Sequence, residues 1–190
     1  MEQAYEQEKT FNNIDFNKLP LTVGEYENCT FINCDFSNSD LTNIKFVECE
    51  FDGCNLSMVK LIGTVLREVN FKNCKMLGLH FENCNKFGLV VSFDNCILDH
   101  SSFYQTKLKK KSFSNSKLYE TDFTECDLSN SIFENCDLTR ATFVNSILEK
   151  VDFRTSFNYS IDPEINRIKK AKFSLAGVTG LLDKYDIEIN

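Results

Sequence analysis

Large apolar residues recur at every fifth position along most of this chain. They run Phe11, Phe16, Leu21, Tyr26, Phe31, Phe36, Leu41, Phe46, Phe51, Leu56, Leu61, Leu66, Phe71, Met76 and Phe81. The beat fails at Lys86 and resumes two residues late at Phe93. It then alternates Phe and Leu strictly through Phe103, Phe113, Phe123, Phe133 and Phe143 to Phe153. These 28 centres take 15 of the 18 phenylalanines, so the beat decides where the aromatic residues go. A period of five fits neither a helix at 3.6 nor a strand at 2, and sustained self-similarity marks a repeat architecture.

With each centre called i, the residue at i−2 is nearly always small or β-branched. All nine cysteines fall there: Cys29, Cys34, Cys49, Cys54, Cys74, Cys84, Cys96, Cys126 and Cys136. The residue between, at i−1, is mostly polar, as at Asp35, Asp40, Asp122, Asp127 and Asp137. The triplet therefore reads in–out–in, one short extended stretch. Two residues remain before the next triplet starts in the same phase, so they must turn a corner. At i+2 stands Asn in 12 places and Gly at 53, 63 and 78, the residues that accept positive φ. Corners that always bend alike wind the chain into a coil, and stacked coils satisfy each other's backbone groups.

The Phe/Leu alternation counts the sides. Four sides per coil, 20 residues, stack Phe on Phe and Leu on Leu, whereas three would set Phe on Leu. Twenty-eight quintets make seven coils, a rod about 34 Å long at the usual strand spacing. The sequence thus predicts an all-β solenoid over residues 11–158, an N-terminal cap segment over 1–10, and a break at 85–92 read as a bulge.

The chemistry-bearing residues point away from catalysis. No P-loop, nucleophile elbow, HExxH or CxxC occurs, and His80 and His100 have no partner that would make a triad or a metal pair. No metal, cofactor or disulfide is expected, because buried Cys behaves as a small hydrophobe and the beat already accounts for all nine. No enzyme is expected either, since the long acid-bearing loops of polysaccharide-cleaving β-helices are absent. The net charge of −7 argues against direct nucleic-acid binding. No apolar run is long enough for a membrane helix. The acidic first residues lack an apolar signal core, so a cytoplasmic protein is expected. The acid excess sits wholly on residues 1–158, because 159–190 hold five acids and five bases. Two acidic zones, around Asp35, Asp40, Glu50 and Asp52 and around Asp122, Asp127 and Asp137, flank a basic knot at Lys107, Lys109, Lys110, Lys111 and Lys117. Such charges either keep a rod soluble or form an anionic face that steers a basic partner groove.

After Phe157 the beat stops, and residues 159–190 read as a helical capping and dimerisation tail. Asp162–Pro163 is expected to end the coil. Ser174 is the expected N-cap of a helix whose apolar face is Leu175, Val178, Leu181, Leu182 and Tyr185, with Ile187 beyond. That helix either covers the raw end of the core or docks on a twin. Its amount of Leu and Ile favours a symmetric homodimer through the C-terminus.

The quintets Cys34-Asp35-Phe36-Ser37-Asn38, Ser39-Asp40-Leu41-Thr42-Asn43, Cys126-Asp127-Leu128-Ser129-Asn130 and Cys136-Asp137-Leu138-Thr139-Arg140 resemble the pentapeptide-repeat motif A(D/N)LXX. The resemblance covers about residues 11–157 and implies a right-handed quadrilateral β-helix. The tail, with Asp162-Pro163-Glu164, Lys169-Lys170-Ala171-Lys172-Phe173-Ser174-Leu175 and Gly180-Leu181-Leu182-Asp183-Lys184-Tyr185-Asp186-Ile187, resembles the Qnr-type, fluoroquinolone-resistance branch of that family. Membership of that branch implies a head-to-head dimer shaped and charged like duplex DNA. It implies binding to DNA gyrase or topoisomerase IV and protection from quinolones, although this chain carries no inserted loop of the kind linked to protection. On that implication Asp35, Asp40, Glu50, Asp52, Asp122, Asp127 and Asp137 are the expected partner-binding acids. The alternative is a solenoid scaffold that binds a different protein partner.

Overall fold

The computed structural model describes residues 4–188 and places every quintet on one wall of a four-walled coil of about seven turns. The strands are β1 (Ala4–Gln7), β2 (Thr10–Asn12), β3 (Gly24–Glu27), β4 (Thr30–Ile32), β5 (Lys45–Val47), β6 (Glu50–Asp52), β7 (Val65–Arg67), β8 (Val69–Lys72), β9 (Val91–Asp94), β10 (Ser112–Ser114) and β11 (Ile132–Glu134). All pair in parallel. The first wall is β1-β3-β5-β7 and the second is β2-β4-β6-β8-β9-β10-β11. The third and fourth walls are held by single bridges such as Asp35↔Asn55 and Asp122↔Thr142. Partners are 20 residues apart, as in Phe31↔Phe51, except across the break, where they are 22 apart, as in Phe71↔Phe93, Lys75↔Ile97 and His80↔Ser102. Of the N-terminal segment 1–10, residues 1–3 lie outside the described residues, and Ala4–Gln7 already belongs to the first wall.

Every centre except Phe11 and Leu21 is buried. On the second wall nine phenylalanines stack in one column from Phe11 to Phe173, with centroid separations such as 4.8 Å for Phe11–Phe31, 4.6 Å for Phe113–Phe133 and 5.5 Å for Phe153–Phe173. A second column, Phe81–Phe103–Phe123–Phe143, lies on the fourth wall. The two meet edge to face, as Phe113 and Phe123 do at 5.9 Å and 90°. Column spacing matches strand spacing, so parallel ring stacking and backbone pairing support one another.

The i−2 slot does more than fill space. Ser131 Oγ donates to the Leu108 carbonyl (2.6 Å) and Ser146 Oγ to that of Phe123 (2.8 Å). Cys54 and Cys136 thiols stand over the Phe31 and Phe113 carbonyls in the same way, each at 3.3 Å. Cysteine thus serves this slot both as a small hydrophobe and as a weak donor. The corners follow the sequence too. The i+2 residues adopt left-handed backbone, for example Asn33 (φ 51°), Asn73 (54°) and Asn130 (63°). Gly53 is required beyond its φ of +66°, because an added Cβ would lie 2.3 Å from Asn33 Oδ1.

Two expectations about the tail change. The coil runs past residue 158: Asn166 Oδ1 accepts the Ser146 amide at 2.8 Å, and Arg167 and Lys172 bridge to Ile147 and Asp152, adding two more sides. The α-helix expected from Ser174 does not form. In its place stand two 3₁₀ turns, Gly177–Leu181 and Asp183–Tyr185. The first of these turns has Ala176, not Ser174, as its N-cap, although Ser174 Oγ accepts the Gly177 amide at 3.0 Å. Gly177, Val178, Thr179 and Gly180 are poor helix formers. The segment is instead held flat against Tyr159, where a Cβ on Gly180 would meet the Tyr159 carbonyl oxygen at 2.1 Å. Among the described residues no helix is long and apolar enough to cross a membrane.

Because Phe113 stacks on both neighbours in the long column and is fully buried, Phe113→Ala should cost about 3–5 kcal/mol. Urea unfolding reads this, and Leu19→Ala, at a position 69% exposed, should leave the midpoint unchanged.

Candidate functional site

Function must reside on the walls and ends, so the outward residues decide what the rod can do. The i−1 aspartates have a local duty first. Asp35 Oδ1 accepts the Ser37 amide (2.9 Å), Asp40 that of Thr42 (3.0 Å), Asp122 that of Thr124 (2.8 Å), Asp127 that of Ser129 (3.2 Å) and Asp137 that of Thr139 (3.1 Å). Each carboxylate closes the turn that follows it. Asn55 does the same for Ser57 without charge (3.2 Å).

The seven sequence-selected acids lie on all four walls. Asp127 is on the first, Glu50 on the second with Asp52 at its edge, Asp35 and Asp137 on the third, and Asp40 and Asp122 on the fourth. The third-wall and fourth-wall pairs sit in two zones separated by several coils. Five of the seven have cationic or amide partners, Asp137 taking a hydrogen bond from Asn158 Nδ2 at 2.9 Å. Lys60 is 3.8 Å from Asp40, Lys72 3.0 Å from Glu50 and Lys109 3.0 Å from Asp127, and Asn73 Nδ2 donates to Asp52 at 2.7 Å. Thr42 and Lys60 hold Asp40 below the usual carboxylate range. Partial burial would raise Asp127 and Asp137, but hydrogen bonds from Ser129 and Lys109 and from Thr139 and Asn158 bring both below it. Asp152, gripped by the Arg154 guanidinium at 2.8 Å and faced by Lys172, is held at about 2.

The two-residue slip falls on the first wall, which ends its ladder at β7 and resumes only at the Lys107↔Asp127 bridge. The chain bulges outward there. Asn85 Oδ1 accepts the Phe87 amide at 2.9 Å, and the Phe87 ring is 88% exposed. Beside it opens a groove of about 460 Å³ lined by Phe81, Cys84, Leu89, Tyr104 and the stems of Lys86 and Lys107. Sequence reasoning passed over Phe87; the signal available was a large aromatic residue standing where the beat fails.

At the C-terminal end Leu175, Val178, Tyr185 and Ile187 are exposed, Leu175 to 91%, while Leu181 and Leu182 are half-buried. Phe157 and Ile165 are exposed as well. Lys184 pins the last turn through Asp162 (2.8 Å) and Glu164 (2.6 Å). All nine cysteines are free and buried, with burial pushing Cys84 and Cys126 up to about 12. His80 and His100 are exposed and lie against Glu82 (2.8 Å) and Glu120 (3.1 Å). Among the described residues no group of three His, Cys, Asp or Glu side chains is placed to hold a metal ion.

A parallel coil closed by aspartate-capped corners, with aromatic columns inside, defines a β-solenoid whose working surface is its outside. A family model described as pentapeptide repeat region matches residues 25–86 and 90–158, and the chain belongs to the pentapeptide repeat family. Among solved structures, a trypsin-treated variant of QnrB1, a plasmid-mediated fluoroquinolone resistance protein, aligns over 97% of this chain and 97% of its own, with a TM-score of 0.60 at 16% identity. A second trypsin-treated QnrB1 variant gives 0.59 at 18%, over 97% and 99%. HetL, a pentapeptide repeat protein involved in heterocyst differentiation regulation in Nostoc, gives 0.45 at 15%, over 89% and 86%. At these identities the likeness is one of fold. No curated protein sequence matches the chain.

The depressed aspartates fix a pH response. A carboxyl group whose pKa is lower folded than unfolded adds stability above its unfolded value, near 3.9, and that stability is lost as pH falls toward the folded value. The urea midpoint should therefore drop between about pH 4 and pH 2. Asp152→Asn, which keeps the turn acceptor but removes the charge, should reduce that drop, as urea titrations at the two pH values will show.

Proposed function

We propose that the protein is a non-catalytic mimic of duplex DNA that binds a bacterial type II topoisomerase, DNA gyrase or topoisomerase IV. In this reading it acts in the cytoplasm as a right-handed coil doubled by a C-terminal homodimer contact, and it protects the enzyme from quinolones. The carrying observation is the placement of charge. The whole acid excess lies on residues 1–158 of the four-walled rod and spreads over all its walls, as phosphate charge spreads around a duplex, while residues 159–190 are neutral. The end-to-end likeness in fold to a fluoroquinolone resistance protein supports the same partner.

The exposed patch of Leu175, Val178, Tyr185 and Ile187, flanked by Leu181 and Leu182, supplies the dimer contact. An apolar end that no other part of the chain covers suits a two-fold axis. The acids then act jointly. Long-range attraction steers the rod into a basic saddle, and single rim charges change on-rate and salt dependence more than affinity.

A second reading, a scaffold for a different protein, is favoured by one observation. Lys107, Lys109, Lys110 and Lys111 cluster on the first wall and beside it, where a phosphate mimic has no use for them.

Gyrase supercoiling, measured with and without a quinolone, separates the two readings. The expected result is inhibition or quinolone rescue at micromolar protein that weakens as salt rises. Replacing Asp35, Asp40, Asp122 and Asp137 together by Asn, which preserves the turn caps, should weaken it at least about tenfold. Any one of the four replacements should change it little. Absence of binding, inhibition and rescue would exclude a topoisomerase partner.

A further inference from the structure

The corner between the first and second walls carries a pattern that no other corner has. Its i+2 residues, one per coil, are Glu8, Asn28, Glu48 and Glu68, then Gly88 at the break, then Lys110, Asn130, Lys150 and Lys170. The line is acidic before the break and basic after it, so reversing its direction sets Glu against Lys at two of the four paired levels (68 with 110, 8 with 170) and a charge against Asn at the other two (48 with 130, 150 with 28). The next corner, between the second and third walls, is by contrast uncharged: Asn13, Asn33, Gly53, Asn73, Asn95, Asn115 and Asn135.

The charged residues hold the left-handed backbone that Asn and Gly adopt most readily. Their φ values are 55°, 54° and 56° for Glu8, Glu48 and Glu68, and 57°, 59° and 60° for Lys110, Lys150 and Lys170. Long side chains at such sites work against local preference, which directs attention to what they face. Among the described residues none of these six takes part in an ion pair within the chain. Of the nearby opposite charges, Asp127 is neutralised by Lys109 and Glu149 by Arg167 at 2.6 Å, while Lys111 lies in the same groove as Glu68 without a close ion pair. Arg67 runs against the pattern, but it lies beside Gly88, at the midpoint. At that level the corner is recessed into a groove of about 550 Å³, with Glu48 and Glu68 on one rim and Lys110 and Lys111 on the other. Phe87 projects from the adjoining wall at the same coil.

We propose that this corner is a self-complementary docking surface for a second copy of the chain. The copy lies antiparallel alongside the first, related by a two-fold axis at the level of Gly88. A two-fold operation about the break sets Glu68 against the partner copy's Lys110 and, at the far ends, Glu8 against its Lys170. An isologous contact requires this reciprocity. The strip spans eight strand spacings, about 38 Å, and exposed Phe87 supplies an apolar anchor near its centre. This lateral contact lies away from the C-terminal patch and holds whether or not a topoisomerase is the partner.

The test is the mass of the intact reduced chain in solution, by sedimentation equilibrium. Screening acts within about 3 Å at 1 M salt but only within about 30 Å at 10 mM. The mass should therefore at least double on passing from about 1 M to about 10 mM salt. That factor is the same whether the high-salt species is the 21.9 kDa monomer or a C-terminal dimer. Glu68→Lys alone and Lys110→Glu alone should each abolish the doubling, and an equimolar mixture of the two variants should restore it. Both sites are exposed and each accepts the other's side chain, so folding, followed by circular dichroism, should be unchanged. A mass insensitive to salt, or a doubling that survives in both single variants, would overturn the proposal.

Discussion

A four-walled coil whose interior is two side chains wide leaves little freedom of register. Each centre must meet the centre 20 residues later, because the same parallel ladder that spaces the backbone also spaces the rings. The column from Phe11 to Phe173 joins the two requirements in one interaction. Ring stacking at 4.6–5.5 Å holds only if the strands pair in register, as they do at Phe31↔Phe51 and Phe113↔Phe133. Large side chains in series also make the core continuous, so stability accumulates through contacts between neighbouring coils, as in other solenoids. The slip at 85–92 is tolerated because it is confined to one wall. The long column crosses it, Phe71 stacking on Phe93 at 5.5 Å, while the first-wall ladder stops.

The surface follows from what the corners need. Aspartate at i−1 caps a turn, asparagine or glycine at i+2 supplies the left-handed residue, and Ser, Thr or Cys at i−2 donates to a carbonyl one coil back. Much of the rod's negative charge therefore arises from turn chemistry, and its spread over all four walls follows from the turns being on all four walls. Positions that depart from these needs are the informative ones. Glu and Lys where Asn would serve, and an aromatic ring displayed at the break, are not demanded by the coil.

Most of the fold was legible because it rests on a strict period. The inward positions, the four sides, the stacking of Phe on Phe and the turn role of Asn and Gly all follow from spacing alone. The tail was less legible. The apolar spacing of Leu175, Val178, Leu181, Leu182 and Tyr185 mimics a helix, but Gly177 and Gly180 are there for close approach to Tyr159, a tertiary contact that local pattern does not announce. Asn166 likewise hides an i−2 role behind a polar residue, so the coil's last two sides were missed. The acids were correctly read as outward, but spacing could not show that Asp35, Asp122 and Asp137 are also turn caps, or that the seven acids would spread over four walls. The charge reversal along one corner becomes visible only when residues 20 apart are read together.

The central claim is that the centres and the small residues at i−2 point inward from Tyr26 onward. The nine cysteines, all at i−2 and drawn from every wall but the fourth, report on it directly through their reaction with a thiol reagent in freshly reduced protein. Enclosure in the tube, with burial also raising Cys49 and Cys136 to about 11 and Cys84 and Cys126 to about 12, predicts that the native chain reacts only as fast as it unfolds and that all nine thiols then react together in denaturant. Rapid labelling of several cysteines in the folded protein would place those side chains at the surface and contradict the square-coil account.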